Sequence, residues 1–523
     1  MTQFDYVVVG AGSAGAVVAA RLAKDPAAQV LLLEAGGPDT DHPEIARPAA
    51  WPYTLQGTEF DWQYETTPQK YADGRVGPVP RGKVLGGTSA INALVYVRGH
   101  SSDFDNWAYW GNPGWDYDSL LPAFRRSEDY EYGETPHHGA GGPISVRRFR
   151  PENSNPVSVA MLQAALDLGY PATDDFNGPS MRGAGYNSVT INPDGTRSGT
   201  FMFLRDAPAN LTIATRSRAR RLLVENGRCT GVEYTRDGAL ERAEASEEVI
   251  VSCGGIDSPR LLLLSGIGPA GELRSLGIEP QVDLPGVGKN LQDHLLTAVV
   301  YESARTVARA TWANHSETTL FWPDDERGLG VCPGMQVQFF HVPFPPEGFT
   351  GPEEGAGYTV TPGPNRILSR GEVTLRSADP DAPPDIDPHY LAEEADVAAH
   401  VRGIRMAREI GEANALKDWR RREVLPGPER RTDAELREYV RQAASTIYHH
   451  VGTCKMGVDH MAVVDPELRV HGVAGLRVAD ASIMPTITSG NTNAPTIMIG
   501  ERCAELVRTG ASHVRVPEVA GAR

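Results

Sequence analysis

The stretch Tyr6-Val7-Val8-Val9-Gly10-Ala11-Gly12-Ser13-Ala14-Gly15, with the alanine-rich run to Leu22 and then Val30-Leu31-Leu32-Leu33-Glu34, decides the fold. Tyr6–Val9 is apolar without alternation, which predicts a parallel strand covered on both faces. Gly10 allows the tight turn off that strand, Gly12 lets backbone approach a pyrophosphate, and Gly15 lets helix and strand pack closely. The helix predicted through about Leu22 offers free N–H groups and a partial positive charge to phosphates. Val30–Leu33 predicts a second strand. Glu34, nineteen residues after Gly15, ends it where a carboxylate accepts hydrogen bonds from ribose hydroxyls. With Ser13, Ala14 and Ala35 beside it, this βαβ unit predicts a site for an ADP-containing cofactor. It leaves NAD and FAD open.

The rest of the composition narrows the class. A chain of 523 residues predicts two or three domains. With 40% hydrophobic and 22% charged residues, disordered, collagen-like and membrane classes are excluded. A net charge of −17 repels phosphate backbones and anionic lipid, so neither nucleic acid nor a membrane surface is an expected partner. The five cysteines are scattered without CxxC spacing, which predicts reduced thiols and no metal site. No run approaches the ~18 apolar residues of a membrane span. No leader pattern precedes the first strand, so the expected location is the cytoplasm. His137-His138 lacks the i, i+4 spacing of a helical metal site and is expected to be solvated. No GxSxG nucleophile elbow occurs, which sets aside an α/β-hydrolase.

Residues 210–252 alternate β-like segments with turns at Glu225-Asn226-Gly227 and Arg236-Asp237-Gly238, the pattern of a meander. Leu261–Leu264 reads as a buried helix, and 393–412 as a helix with Val397, Val401, Ile404 and Ile410 near one face. Aromatics cluster from Trp312 to Phe349, and the Gly/Pro-rich stretch 343–364 predicts a lid or binding loop. The last 50 residues return to the small, glycine-punctuated pattern of the start. The expected architecture is therefore mixed α/β, with a discontinuous Rossmann-like domain (1–155, 195–300 and 455–523) around a substrate domain (156–194 and 301–454).

Three further segments bear on the cofactor. They are Gly82-Lys83-Val84-Leu85-Gly86-Gly87-Thr88-Ser89-Ala90-Ile91-Asn92; Gly254-Gly255-Ile256-Asp257-Ser258-Pro259 leading to Gly266-Ile267-Gly268-Pro269; and Val478-Ala479-Asp480-Ala481 through Asn491-Thr492-Asn493-Ala494-Pro495. Together with the first unit they resemble the glucose–methanol–choline (GMC) family of FAD-dependent alcohol oxidoreductases, nearest its bacterial choline dehydrogenase-like branch. The resemblance implies FAD, and a substrate domain built on an antiparallel sheet flanked by helices. Gly86, Gly87 and Thr88 then lie along the flavin, Asn92 and Val95 contact the flavin region, and Asp480 with Ala481 the ribityl–phosphate part. Some relatives carry a covalently attached histidine at the position of Ile91; isoleucine cannot form that bond, so FAD is expected to be non-covalent. Gly255 stands where the family usually has a larger residue, with no consequence expected.

The family's HxxGT motif reads His449-His450-Val451-Gly452-Thr453 here, which implies His449 as the base that takes the alcohol proton while hydride passes to flavin N5. Asn493 matches the family's second active-site residue and is expected to hydrogen-bond the alcohol oxygen, with Asn491 the weaker candidate and His450 structural. Trp312, Gln338, Phe340 and Tyr448 are the expected substrate contacts. They favour a neutral aromatic or medium-chain primary alcohol, oxidised to an aldehyde, over a cation. Choline is the alternative, held by an aromatic cage and a carboxylate; a hydroxynitrile lyase-like member is a third reading. Ile447, β-branched as in some oxidase relatives, tilts the expected electron acceptor toward O2. The oligomeric state is left open.

Overall fold

The computed structural model, which describes residues 2–510 except 56, 310–312 and 325–331, places strand Thr2–Val9 at the centre of a seven-stranded sheet. The strand runs parallel to Val30–Leu33 on one side and to Ala239–Val251 on the other. Leu211–Ala214 continues the parallel set beyond Val30–Leu33, and Leu476–Val478 pairs in parallel with Val249–Val251. The unbroken apolar run fits this double coverage: Val7 and Val8 are fully buried. The expected meander completes the sheet, as Ser217–Glu225, Arg228–Arg236 and the first half of Ala239–Val251 pair antiparallel. Its two turns place Asn226-Gly227 and Asp237-Gly238 at positive φ, the conformation a two-residue hairpin turn requires.

Helix Gly15–Leu22 packs on this sheet and against the C-terminal helix Asn493–Arg508, where Arg21 and Glu501 form a buried ion pair at 2.6 Å. Gly15 is required by that packing. A Cβ there would stand 1.9 Å from the Gly10 carbonyl oxygen.

A second, six-stranded sheet is antiparallel throughout, in the order Arg420–Leu425, Val299–Ser303, Gly357–Pro364, Met335–Phe340, Thr318–Trp322, Gly183–Tyr186. Helices Pro156–Asp167 and Glu394–Glu412 pack on it, and Asp433–Ala443 packs on the latter. Val299, Tyr301, Leu320, Val337, Phe339, Val360, Val397, Ile404 and Leu436 share its core.

Three expectations need correction. A domain boundary at 300/301 would cut strand Val299–Ser303, which pairs entirely within the antiparallel sheet, so it belongs before Val299. The stretch 343–364 is not all loop: Gly357–Pro364 is a fully buried strand, because its alternating small residues sit between two partner strands.

His138 is not solvated. It is 2% exposed, with Nδ1 2.5 Å from Glu128 Oε1 and Nε2 2.7 Å from Asp175 Oδ2, and it stacks on Tyr130 at 3.7 Å. Arg98 pairs with the same Glu128. Burial pulls the imidazole pKa down, but the hydrogen bonds to Asp175 and Glu128 outweigh burial and raise it above 6.5. A raised histidine stabilises fully below its unfolded value and loses that contribution as pH rises through the folded one. The thermal unfolding midpoint of the wild type is therefore expected to fall from pH 6 toward pH 9. A His138→Gln variant should lose roughly 3 kcal/mol at pH 6, as when one partner of a buried pair is removed, and show a flatter profile. A variant that tracks the wild-type curve would remove His138 from this role.

Candidate active site

The cofactor end is built from backbone. The turn after strand Thr2–Val9 opens helix Gly15–Leu22, whose first turn has no side-chain cap and so keeps N–H groups for an anion. Glu34 Oε2 accepts from Ala11 N at 3.0 Å and Oε1 from Gly36 N at 2.8 Å. Burial raises its carboxyl pKa to about 7 against those backbone hydrogen bonds. Asp480 Oδ2 accepts from Gly254 N at 2.8 Å and Ser258 Oγ at 2.5 Å, tying the 254 turn to the C-terminal segment.

Of the residues expected at the cofactor, Gly10, Gly12, Ser13, Ala14, Glu34, Ala35, Gly87, Thr88, Asn92, Val95, Asp480 and Ala481 line one continuous cavity. His449, Asn493, Gln338, Phe340 and Tyr448 line the same cavity. Gly15 and Gly86 are not part of its lining: Gly15 packs helix on strand, and Gly86 N donates to Ala11 O at 2.9 Å, seating the 86–92 loop on the glycine turn. Trp312 lies outside the described residues. Ile91 is fully buried in the core and does not reach the cavity wall.

Arg197 is not part of the cavity lining; it braces Asn92, which is. It is 1% exposed, and its guanidinium bonds carbonyl-type acceptors: Asn92 O at 2.7 Å, Asn92 Oδ1 at 2.9 Å and Ile45 O at 2.9 Å. Nη2 is buried without a partner, and burial pulls the group down to about 9. Gly12 and Gly87 line the cavity as bare backbone, and a Cβ on Gly87 would stand 2.7 Å from Gly12 Cα, so this wall is a cradle that glycine keeps open. With the glycine turn and Glu34, the residues present fit an FAD along this cavity.

The residues expected to carry the chemistry line the same cavity. Strand Leu295–Leu296 pairs antiparallel with Ser445–Thr446, and Gln292 exchanges backbone hydrogen bonds with Val451. This ladder brings His294 against His449, with Nδ1 to Nδ1 at 3.0 Å. His294 Nε2 lies 3.0 Å from the carbonyl of Asn365, which only accepts, so that nitrogen carries the proton and Nδ1 is an acceptor. The proton between the rings then belongs to His449 Nδ1. His449 Nε2 then carries the lone pair. Asn491 Nδ2 donates to it at 3.3 Å, and the amide is oriented by Gln336 Nε2 donating to its Oδ1 at 3.2 Å. Asn493, by contrast, accepts from Ser13 Oγ at 2.7 Å, so Asn491 rather than Asn493 touches the histidine.

Burial, reinforced by His294, Arg81 and His450, holds the His449 pKa well below 6.5; burial lowers His294 to about 4. Both rings are neutral at neutral pH. The loop carrying His449 is clamped from three sides. Asp293 Oδ1 accepts from His449 N at 2.8 Å and Oδ2 from Thr446 Oγ1 at 2.5 Å, while Arg81 Nη2 donates to Tyr448 O at 2.5 Å. Tyr448 has φ +71°, a strained conformation of roughly 1–3 kcal/mol that such clamps maintain. Gly255 also matters, against expectation: a Cβ there would meet His450 O at 2.4 Å, so glycine lets the His449-His450 loop close on the 254 turn. His450 is buried, with Nε2 3.2 Å from Tyr390 OH.

The apolar part of the cavity wall includes Trp51, Leu55, Leu296, Phe340 and Phe344, with Gln338 also on the wall and Phe340 and Phe344 stacked at 5.3 Å. Its carboxylates among the described residues are Glu34, Asp257 and Asp480, all on the glycine-turn and 254-turn side. Among the described residues no cluster suits a metal ion, and no helix is long and apolar enough to cross a membrane.

Comparison with known proteins gives the family. The GMC oxidoreductase N-terminal and C-terminal family models match residues 4–296 and 368–500. An oxygen-dependent choline dehydrogenase of Burkholderia ambifaria is 42% identical over 97% of this chain and 94% of its own length. The enzyme of the same description from Burkholderia vietnamiensis is 43% identical over the same shares. Among solved structures, pyridoxine 4-oxidase from Mesorbium loti superposes with a TM-score of 0.93 at 36% identity, covering 97% of this chain and 99% of that one. Formate oxidase from Aspergillus oryzae gives 0.91 at 31%, covering 98% and 99%. The chain belongs to the GMC oxidoreductase family, FAD-dependent flavoproteins that act on CH–OH donors.

Proposed function

We propose that the protein oxidises a primary alcohol to an aldehyde, with His449 Nε2 as the base that takes the hydroxyl proton. One observation carries this: the Asn365–His294–His449 chain leaves that nitrogen unprotonated at the cavity wall. Bound FAD supplies the hydride acceptor. Gly10, Gly12, Ser13, Ala14 and Glu34 would hold its ADP part, and Gly87, Thr88, Asn92, Val95, Asp480 and Ala481 the remainder. Asn491, and Asn493 at the head of the last helix, orient the alcohol oxygen as charge builds on it. The domain assignment that goes with this is a cofactor unit of 1–155, 195–298 and 455–523, and a substrate unit of 156–194 and 299–454.

The relatives named for choline support choline as substrate better than a neutral alcohol, and their being oxygen-dependent supports O2 as acceptor. A second reading, a neutral aromatic or medium-chain alcohol, draws on the apolar part of the cavity wall, which is aromatic and aliphatic with Gln338 and has no carboxylate among its described residues. A quaternary ammonium there would rely on cation–π attraction alone, worth roughly 0.5–2 kcal/mol. Choline, benzylic, furanic and aliphatic alcohols should be compared by anaerobic flavin reduction, then by peroxide formation and dye reduction. Flavin reduced fastest by choline establishes the first reading; benzylic alcohols ahead by tenfold or more establish the second. Absence of bleaching with any alcohol would point to a lyase-type member. Ile91 in place of a linking histidine predicts non-covalent FAD: acid precipitation is expected to leave the flavin in the supernatant, and a yellow pellet would contradict it.

A further inference from the structure

Behind the cavity wall, the Arg197 guanidinium meets only carbonyl-type oxygens. Nε donates to Ile45 O at 2.9 Å, and Nη1 to Asn92 O at 2.7 Å, Asn92 Oδ1 at 2.9 Å and Ser89 O at 3.4 Å. Its own backbone is held, since Arg197 N donates to Ala46 O at 2.9 Å and Asn192 Nδ2 donates to Arg197 O at 3.1 Å. The cation is thus delivered to Asn92 from a fixed backbone. Of these partners Asn92 is the one that lines the cavity.

The Asn92 amide has a defined sense. Leu94 N also donates to its Oδ1, at 3.0 Å. A guanidinium and a backbone N–H can only donate, so the atom they share must be the oxygen. Both lone pairs of that oxygen are then used. Nδ2, which no described residue bonds, is left at the cavity wall as a donor. A carboxamide whose oxygen is held by a cation is polarised further, which strengthens the N–H groups at its other end.

We propose that Arg197 is a positioning residue for cofactor binding: it fixes Asn92 so that Nδ2 donates a hydrogen bond to an acceptor atom of bound FAD. The inference rests on the reading that FAD occupies this cavity. The reverse amide, with oxygen toward the cavity, would need a donor on the cofactor instead.

The test dilutes the flavin-loaded protein in steps and reads FAD release from the rise in flavin fluorescence. Asn92→Ala and Arg197→Met are each expected to raise the FAD dissociation constant about tenfold, as for one hydrogen bond left unmade. The double variant should lose the same about tenfold rather than about a hundredfold, because the two residues serve one bond. Arg197→Lys keeps a cation within reach of the Asn92 oxygen and is expected to recover at least about threefold of the Met loss. Asn92→Asp keeps Arg197 paired but presents an acceptor to the cofactor, and should bind FAD at least about tenfold more weakly than wild type. Additive losses in the double variant, or a Lys variant no tighter than Met, would overturn the proposal. Wild-type affinity in Asn92→Asp would overturn it even if the Arg197 variants do not fold. The titration contains no alcohol, so its outcome is independent of the reaction assigned to His449.

Discussion

Replacing His449 by alanine is expected to slow anaerobic, alcohol-driven flavin reduction by about 10²–10⁴-fold, the range typical of losing a positioned general base. FAD content should not change, because the residues proposed to hold the cofactor are the glycine turn, Glu34 and the 86–92 loop, which the substitution leaves intact. The same geometry fixes the pH dependence of the wild type. Burial holds His449 neutral well below pH 6.5, so it is an available acceptor across the neutral range. A base with a depressed pKa loses function only when pH falls through the depressed value. Reduction kinetics under kcat/KM conditions should therefore stay level from pH 8 through 6.5 and decline only at lower pH. Stopped-flow reduction of both proteins over that range checks both statements. An alanine variant within a few-fold of wild type would reassign the base; an acid limb centred at 6.5 or above would show a solvated imidazole instead.

The sequence carried most of the first sheet and most of the cavity, and the reason is local. A glycine turn between a strand and a helix has to be written in consecutive residues, so Gly10, Gly12 and Glu34 declare their roles within thirty positions. The meander declares itself through Asn226-Gly227 and Asp237-Gly238 for the same reason. What stayed hidden depends on distant pairing. His294 meets His449 because Leu295–Leu296 pairs with Ser445–Thr446, a register that no short window encodes. The signal available was the polar triplet Gln292-Asp293-His294 set between Leu291 and Leu295-Leu296, a place where buried polar groups need partners. His138 was misplaced in the same way. Its partners Glu128 and Asp175 lie ten and thirty-seven positions away, and a histidine pair among Thr, Pro and Gly reads as surface until those carboxylates are placed. Asn491 and Asn493 differ by one helical start: Asn493 opens the helix and turns to Ser13, which frees Asn491 to face the imidazole.

His294 is a positioning residue, and its removal should be the second most damaging change. It does not line the cavity, so it cannot bind the alcohol; it acts by accepting the Nδ1 proton of His449. Without that acceptor, the His449 proton can move to Nε2, where it blocks proton abstraction, and the ring loses the contact that sets its rotation. An orienting partner of this kind can be worth up to about 10⁴-fold when its loss enforces the wrong tautomer. Here the backbone bond from His449 N to Asp293 and the Arg81 clamp on Tyr448 remain, so a smaller loss, about 10²-fold in kcat for His294→Phe, is expected. KM should move by less than threefold. His294→Gln offers a side-chain oxygen to the same proton and is expected to recover at least tenfold of that loss. A purely packing role predicts the opposite order, with the ring-preserving Phe variant the more active of the two. Parallel measurement of flavin content, thermal stability and single-turnover reduction in both variants separates the cases. A Phe variant with wild-type kcat would remove the tautomer relay and leave His449 to be oriented by its backbone alone.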